Sequence, residues 1–161
     1  MMKTQSTMDS PLGPLTITTE DGALIRIGFG YHGEAATAGA PAIGTPDDVV
    51  RQLTAYFAGD RTTFDLPFAP AGTEFQQRVW AALDEIAYGQ TISYGELTER
   101  VGVPRDRVRA VAAAVGANPL LVVRPCHRVI GADGSLTGYA GGLDRKRELL
   151  TLEGALQPAL L

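Results

Sequence analysis

The chain has 161 residues, enough for one ordinary domain or two small ones. No apolar run approaches the ~20 residues of a membrane span, and the Met1-Met2-Lys3-Thr4-Gln5 start lacks a secretory core, so the cytoplasm is expected. One cysteine excludes an internal disulfide and a multi-thiolate zinc site, and the formal charge of −4 hides an asymmetry: residues 1–99 carry 5 basic and 13 acidic side chains, residues 100–150 carry 9 and 4.

The first thirty residues alternate and turn. Leu15, Ile17 and Thr19 precede Asp21-Gly22, and Leu24, Ile25, Ile27 and Phe29 follow, which predicts a β-hairpin with an earlier strand near residues 3–9. Residues 30–44 are rich in Gly and Ala without apolar period and read as a loop. Thr45, Pro46, Asp47 and Asp48 then supply a cap, a first-turn proline and early acids for a helix carrying Val49, Val50, Leu53, Tyr56 and Phe57 up to Gly59. The proline-dense connector at residues 65–72 divides the chain into domains 1–70 and 71–161.

Beyond it, Thr73 with Gln76 forms a capping box for a helix whose face of Phe75, Val79, Ala82, Leu83 and Ile86 ends near Tyr88-Gly89, with Trp80 in the core. Ser93 with Glu96 opens a second, short helix to Val101. Gly102-Val103-Pro104 turns into a third, on which Val108, Val111, Ala112 and Val115 share a face until Asn118-Pro119. Two short helices and a glycine turn make a helix-turn-helix, and Arg105, Arg107 and Arg109 on its second helix favour an anionic partner. Leu120 to Val123 reads as a buried strand or extended segment. A glycine-dense loop follows residue 130, and a last helix spans about residues 143–153, closed by Gly154 and a loosely held tail from 155.

Between strand and loop lies Arg124-Pro125-Cys126-His127-Arg128-Val129-Ile130. A thiolate is the nucleophilic form of cysteine, and neighbouring cationic or imidazole groups lower a thiol's pKa. For a lone cysteine taken without its flanks, the commoner reading is a small buried hydrophobe.

Pro125-Cys126-His127-Arg128-Val129, with Asn118-Pro119 before it and Gly138-Tyr139-Ala140-Gly141-Gly142 after it, resembles the active-site segment of the O6-alkylguanine-DNA alkyltransferases, or methylated-DNA–protein-cysteine methyltransferases. The likeness covers residues 75–153. It implies a ribonuclease-H-like α/β N-terminal domain, a small antiparallel sheet plus helix, followed by a mainly α C-terminal domain with the helix-turn-helix. It also implies stoichiometric, irreversible transfer of an alkyl group from O6 of guanine, or less readily O4 of thymine, to Cys126. By resemblance His127 is the base, acting through a water, Glu153 orients it, and Asn118 supports the network. The local backbone agrees with a relay, since adjacent side chains in an extended chain diverge.

A base stacked in a duplex is out of a thiol's reach and must be flipped. The resemblance gives Arg109 the vacated stack and Tyr94 the task of pushing the phosphate. Arg105 and Arg128 are expected at DNA, and Ala110 lets the helix sit close in the minor groove. Tyr139, Ala140, Gly141 and Val129 are expected to form the pocket for the flipped base. No metal or cofactor is implied. The expected partner is double-stranded DNA containing O6-alkylguanine, met by a monomer, with cooperativity along DNA left open.

Three positions depart from the family pattern. Arg124 stands where an aliphatic residue is usual, and could touch phosphate, favour the thiolate or face solvent. Ala140 replaces a common serine, and Ala112-Ala113-Ala114 stands where a glycine is common. Rival readings are a lesion-binding protein without transfer, which would lack the cysteine, a transcription regulator, which would carry a further cysteine-rich domain, and a thiol hydrolase, which would turn over.

Overall fold

A computed structural model describes residues 3–30 and 47–156. The cap expected at Thr45, the proline at Pro46, the loop beyond Gly30 and the tail beyond Leu156 lie outside the described residues. The chain divides into two compact units, Met1–Ala71 and Gly72–Leu161.

The first unit is an antiparallel sheet, β1 (Lys3–Met8), β2 (Leu15–Glu20) and β3 (Ala23–Phe29), with helix α1 (Asp47–Phe57). Asp21 and Gly22 both have positive φ, 51° and 85°, as a two-residue turn of the mirror-image type requires between right-twisted strands. Leu15, Ile17, Leu24 and Ile27 are buried, as are Val49, Leu53 and Tyr56 of α1. Gln52 is the one polar residue on that helical stripe. Its amide donates to Asp65 O (3.0 Å) and accepts from Asp65 N (2.8 Å), so its burial leaves no polar group unpaired at the start of the connector. The connector then adds to the edge of β3, with Leu24 N donating to Pro67 O and Ala69 N to Leu24 O.

The second unit holds α2 (Glu74–Leu83), β4 (Ile92–Ser93), α3 (Tyr94–Val101), α4 (Val108–Gly116), β5 (Val129–Ile130) and α5 (Leu143–Leu152). Thr73 and Gln76 form the reciprocal capping box on α2, and Ser93 accepts from Glu96 N to cap α3. Gly102, with φ 86°, ends α3 in the left-handed region. A 3₁₀ turn at Arg105–Arg107 separates Pro104 from α4, so the proline precedes rather than opens the second helix of the helix-turn-helix. Trp80 is buried, and its indole N–H donates to Ala114 O of α4 (2.9 Å), locking α2 on α4.

Two sequence expectations are corrected here. Helix α2 ends at Leu83, not near Tyr88, because the chain passes into tight turns closed by Glu85 N to Ala82 O and Ile86 N to Leu83 O. Ile86 O is thereby released and accepts from Arg128 Nη1 (2.5 Å). The apolar segment from Leu120 to Val123 is buried but forms no strand. It is a turn: Val123 N donates to Leu121 O (2.8 Å) around Val122, whose φ of 70° is strained for a β-branched residue. The parallel pairing of β4 with β5, Ile92 opposite Val129, was not foreseen and sets the chain after the cysteine beside the start of α3.

Candidate active site

Cys126 opens a 3₁₀ turn, Cys126–Arg128, and is 5% exposed. Pro125, at φ −80° and ψ 55°, makes an inverse γ-turn in which Cys126 N donates to Arg124 O (2.8 Å). The asparagine at 118 organises the approach: its side chain accepts from Leu120 N (3.0 Å) and donates to Leu120 O and Arg124 O. Burial raises the Cys126 pKa, and Asn118, Lys146 and Arg124 only partly oppose it. The expectation that adjacent cations would lower it is therefore corrected: desolvation of a thiolate outweighs these charges, and the resting group is a thiol.

His127 is fully buried, with Nε2 2.8 Å from Glu153 Oε2. Glu153 caps the C-terminus of α5 and is also gripped by Arg128, whose Nε reaches Oε1 (2.7 Å) and Nη2 reaches Oε2 (3.0 Å). Burial alone would raise the Glu153 carboxyl, but hydrogen bonds from His127 and Arg128 hold it down at about 2. Burial lowers the His127 pKa against the pull of Glu153, leaving a neutral imidazole near pH 7. Its Nδ1 is buried and has no hydrogen-bond partner among the described residues. A neutral imidazole oriented by a carboxylate is the state a general base needs.

A cavity of about 470 Å³ opens over Cys126. Tyr94, Arg109, Tyr139 and Ala140 line it together with apolar side chains of α4, among them Val108, Ala112 and Val115. Tyr94 Oη donates to Thr137 O (3.3 Å), and the Tyr139 ring meets the His127 ring edge-on at 6.4 Å. The cavity is thus walled by both helices of the helix-turn-helix and by the glycine-dense loop, with the thiol among its lining groups. Among the described residues, no three or more His, Cys, Asp or Glu side chains converge as metal ligands would.

Residues 74–155 match the 6-O-methylguanine DNA methyltransferase DNA-binding domain, and residues 4–70 match the ribonuclease-like domain of the same proteins. Methylated-DNA–protein-cysteine methyltransferases of Mycobacterium bovis and Methanosarcina acetivorans are 48% and 45% identical, covering 95% and 91% of this chain and 93% and 96% of theirs. The chain belongs to the methylated-DNA–protein-cysteine methyltransferase family. A solved O6-methylguanine methyltransferase of Mycobacterium tuberculosis has a TM-score of 0.84 at 47% identity, over 98% of this chain and 96% of that one. A crystal structure of Mycobacterium tuberculosis OGT in complex with DNA has a TM-score of 0.80 at 46% identity, over 94% and 92%. The family's two domains, ribonuclease-like and DNA-binding, are those of the two units, and DNA is the partner.

Within this family fold, the structure brings Cys126, His127, Glu153 and Asn118 together and puts Tyr94, Arg109, Tyr139 and Ala140 on the cavity. Arg105 is exposed and pairs with Glu99 (3.3 Å), its guanidinium lying over Gly95, where a Cβ would come within 3.0 Å of it. Ala110 is half-buried and does not line the cavity. Arg128 is a correction: expected at DNA, it is buried, paired with Glu153 and stacked 5.7 Å over the Tyr88 ring. Val129 and Gly141 are buried beside the cavity instead of lining it. The Val129 carbonyl is taken by Lys146 and the Gly141 carbonyl accepts from Arg145 (3.2 Å).

Lys146 was missed by sequence reasoning. It is wholly buried, and its Nζ donates to Val129 O (2.6 Å), Thr137 O (2.8 Å) and Gly138 O (3.1 Å), tying α5 to β5 and to the loop that carries Tyr139. Burial brings its pKa down to about 8. A signal existed: Lys146, Leu149, Leu150 and Glu153 recur at helical spacing on the buried side of α5. The usual reading of lysine as solvated concealed it.

Proposed function

We propose that Cys126 is the acceptor in direct DNA repair, taking an alkyl group from O6 of guanine, and less readily from O4 of thymine, in a flipped nucleotide. The observation that carries this reading is the thiol lining an apolar cavity with a neutral, carboxylate-oriented imidazole on the next residue. The sulfur attacks the alkyl carbon, a C–S bond forms as the C–O6 bond breaks, and the electron pair returns to guanine. The thiol proton leaves through a water to His127 and ends, overall, on the guanine. Because regenerating Cys126 would mean displacing a thiolate from an unactivated thioether carbon, the protein is spent after one transfer.

Residues 1–70 support and residues 71–161 bind DNA and carry the chemistry. Helix α4 enters the minor groove, Arg109 fills the gap in the stack, Tyr94 turns the phosphate, and Arg105 and Ala110 meet the backbone. Tyr139, with the backbone of Ala140, holds the base. The protein acts as a monomer in the cytoplasm, where a free thiol stays reduced.

Intact mass after incubation with duplex DNA containing O6-methylguanine tests this. One added methyl group per chain, mapped to Cys126, is expected, and Cys126→Ala should bind DNA without accepting a methyl group. Repeated turnover, or folded protein with no adduct, overturns it.

A further inference from the structure

We infer that Arg124 is a positioning residue: by clamping Asp84 and Trp80 it fixes the backbone that aims the Cys126 sulfur. This rests on Cys126 being the alkyl acceptor.

Arg124 lies between two γ-turns of opposite hand, one centred on Val122 and one on Pro125. Its N–H donates to Leu120 O (3.0 Å), and its carbonyl accepts from Cys126 N and from Asn118 Nδ2. The bonds that fix the chain just before the thiol, from Cys126 N and from Asn118 Nδ2, thus both end on the carbonyl of this one residue. Strained backbone such as that at Val122 persists only where the surroundings over-determine it. An isolated pair of γ-turns would relax.

The side chain supplies the restraint. It is 6% exposed, with Nε 3.2 Å from Asp84 Oδ1 and Nη2 3.5 Å from Oδ2, a two-point grip that fixes orientation as well as distance. The guanidinium stacks 5.3 Å from the Trp80 ring. Asp84 caps α2 and Trp80 lies one turn before it, with its indole bonded to α4, the helix that walls the cavity. Thiol and cavity wall are thus referred to the same rigid helix. The structure excludes the phosphate-contacting and solvent-facing readings of Arg124 in the described state. An ion pair whose acid keeps 41% of its surface in water contributes little to stability, so stability alone does not account for the arginine, whereas directional anchoring does.

Transfer from duplex O6-methylguanine, followed in single-turnover mode over a range of DNA concentrations, tests the inference with Arg124→Met, Asp84→Asn and the double variant. The maximal first-order rate constant should fall about tenfold in each, since small misplacements of a reacting atom slow reaction steeply. The half-saturating DNA concentration should stay within about twofold, the endpoint should remain one methyl per chain, and the double variant should be no slower than the worse single one. A merely structural role would lower the endpoint without slowing the chains that react. That result, an unchanged rate constant, a loss confined to half-saturation, or additive losses would each overturn the inference. Should Arg124→Met not fold, Asp84→Asn decides, because that side chain is 41% exposed and tolerant of change. Failure of the unmodified protein to carry an adduct on Cys126 would instead overturn the acceptor reading.

Discussion

His127 and Glu153 meet at 2.8 Å in the interior, and the same carboxylate is held on its other side by Arg128. The carboxylate thus serves the imidazole while its charge is balanced by a guanidinium, which lets it stay ionised where desolvation opposes it.

Glu153→Gln keeps the shape and removes the charge. Transfer should slow by roughly 10²-fold, as expected when a general base loses its orienting partner. Folding stability should drop by about 3–5 kcal/mol, because the Arg128 guanidinium is left buried without its counter-charge. Single-turnover rates and denaturant melts read the two effects separately.

Acid should unfold the protein in two stages. Burial keeps His127 neutral in the fold, so the unfolded chain takes a proton there first, and stability begins to decline as pH falls below about 6.5. Glu153, held at about 2 against an ordinary value of 4.5, contributes stability that is complete above 4.5 and lost on descending from 4.5 to 2. That loss is at most about 3 kcal/mol. Urea midpoints between pH 7 and pH 3 should show the decline, and Glu153→Gln should remove the lower stage.

Lys146→Met should cost about 2 kcal/mol, since three carbonyls lose the ammonium, Thr137 O keeping Tyr94 Oη, while a buried ammonium is relieved. Amide hydrogen exchange should quicken in the loop from residue 137 to 140 more than in α2. Equal quickening everywhere would contradict the view that Lys146 ties this loop in particular.

Arg109→Ala should separate DNA handling from chemistry. Arg109 is exposed on α4 at the cavity. Its loss should slow transfer from duplex DNA by about tenfold or more, given the few kcal/mol that flipping demands. Transfer from free O6-benzylguanine should stay within about twofold. Parallel loss on both substrates would place Arg109 in the chemistry itself.

Local chemistry was legible along the chain. Asp21-Gly22, the Thr73–Gln76 box, Ser93 and Gly102 each specify a turn or cap through contacts within a few residues, and the structure has each of them. The segment from Leu120 to Val123 was not, because apolar content reports burial without distinguishing a strand from a turn buried on all sides. The β4–β5 pair is two residues long on each strand, too short to leave a period. Three buried cations were misplaced or unplaced for one reason: Arg124 meets Asp84 across 40 residues, Arg128 meets Glu153 across 25, and Lys146 serves carbonyls 8 to 17 residues away. Basic residues read as surface until their distant acceptors are known. The asymmetry of charge that favoured an anionic partner was therefore partly interior, though Arg105, Arg107 and Arg109 remain exposed.

The burial that raises the Cys126 thiol bears on how the molecule waits. A protein that reacts once spends nearly all its existence unused, in the presence of peroxide and glutathione disulfide. Both oxidants attack or trap the thiolate, and both require access. A sulfur kept protonated, only 5% exposed, is poor prey for either. In the proposed reaction, shelf life and reactivity are thus reconciled by timing, the proton leaving sulfur only when a damaged base occupies the cavity.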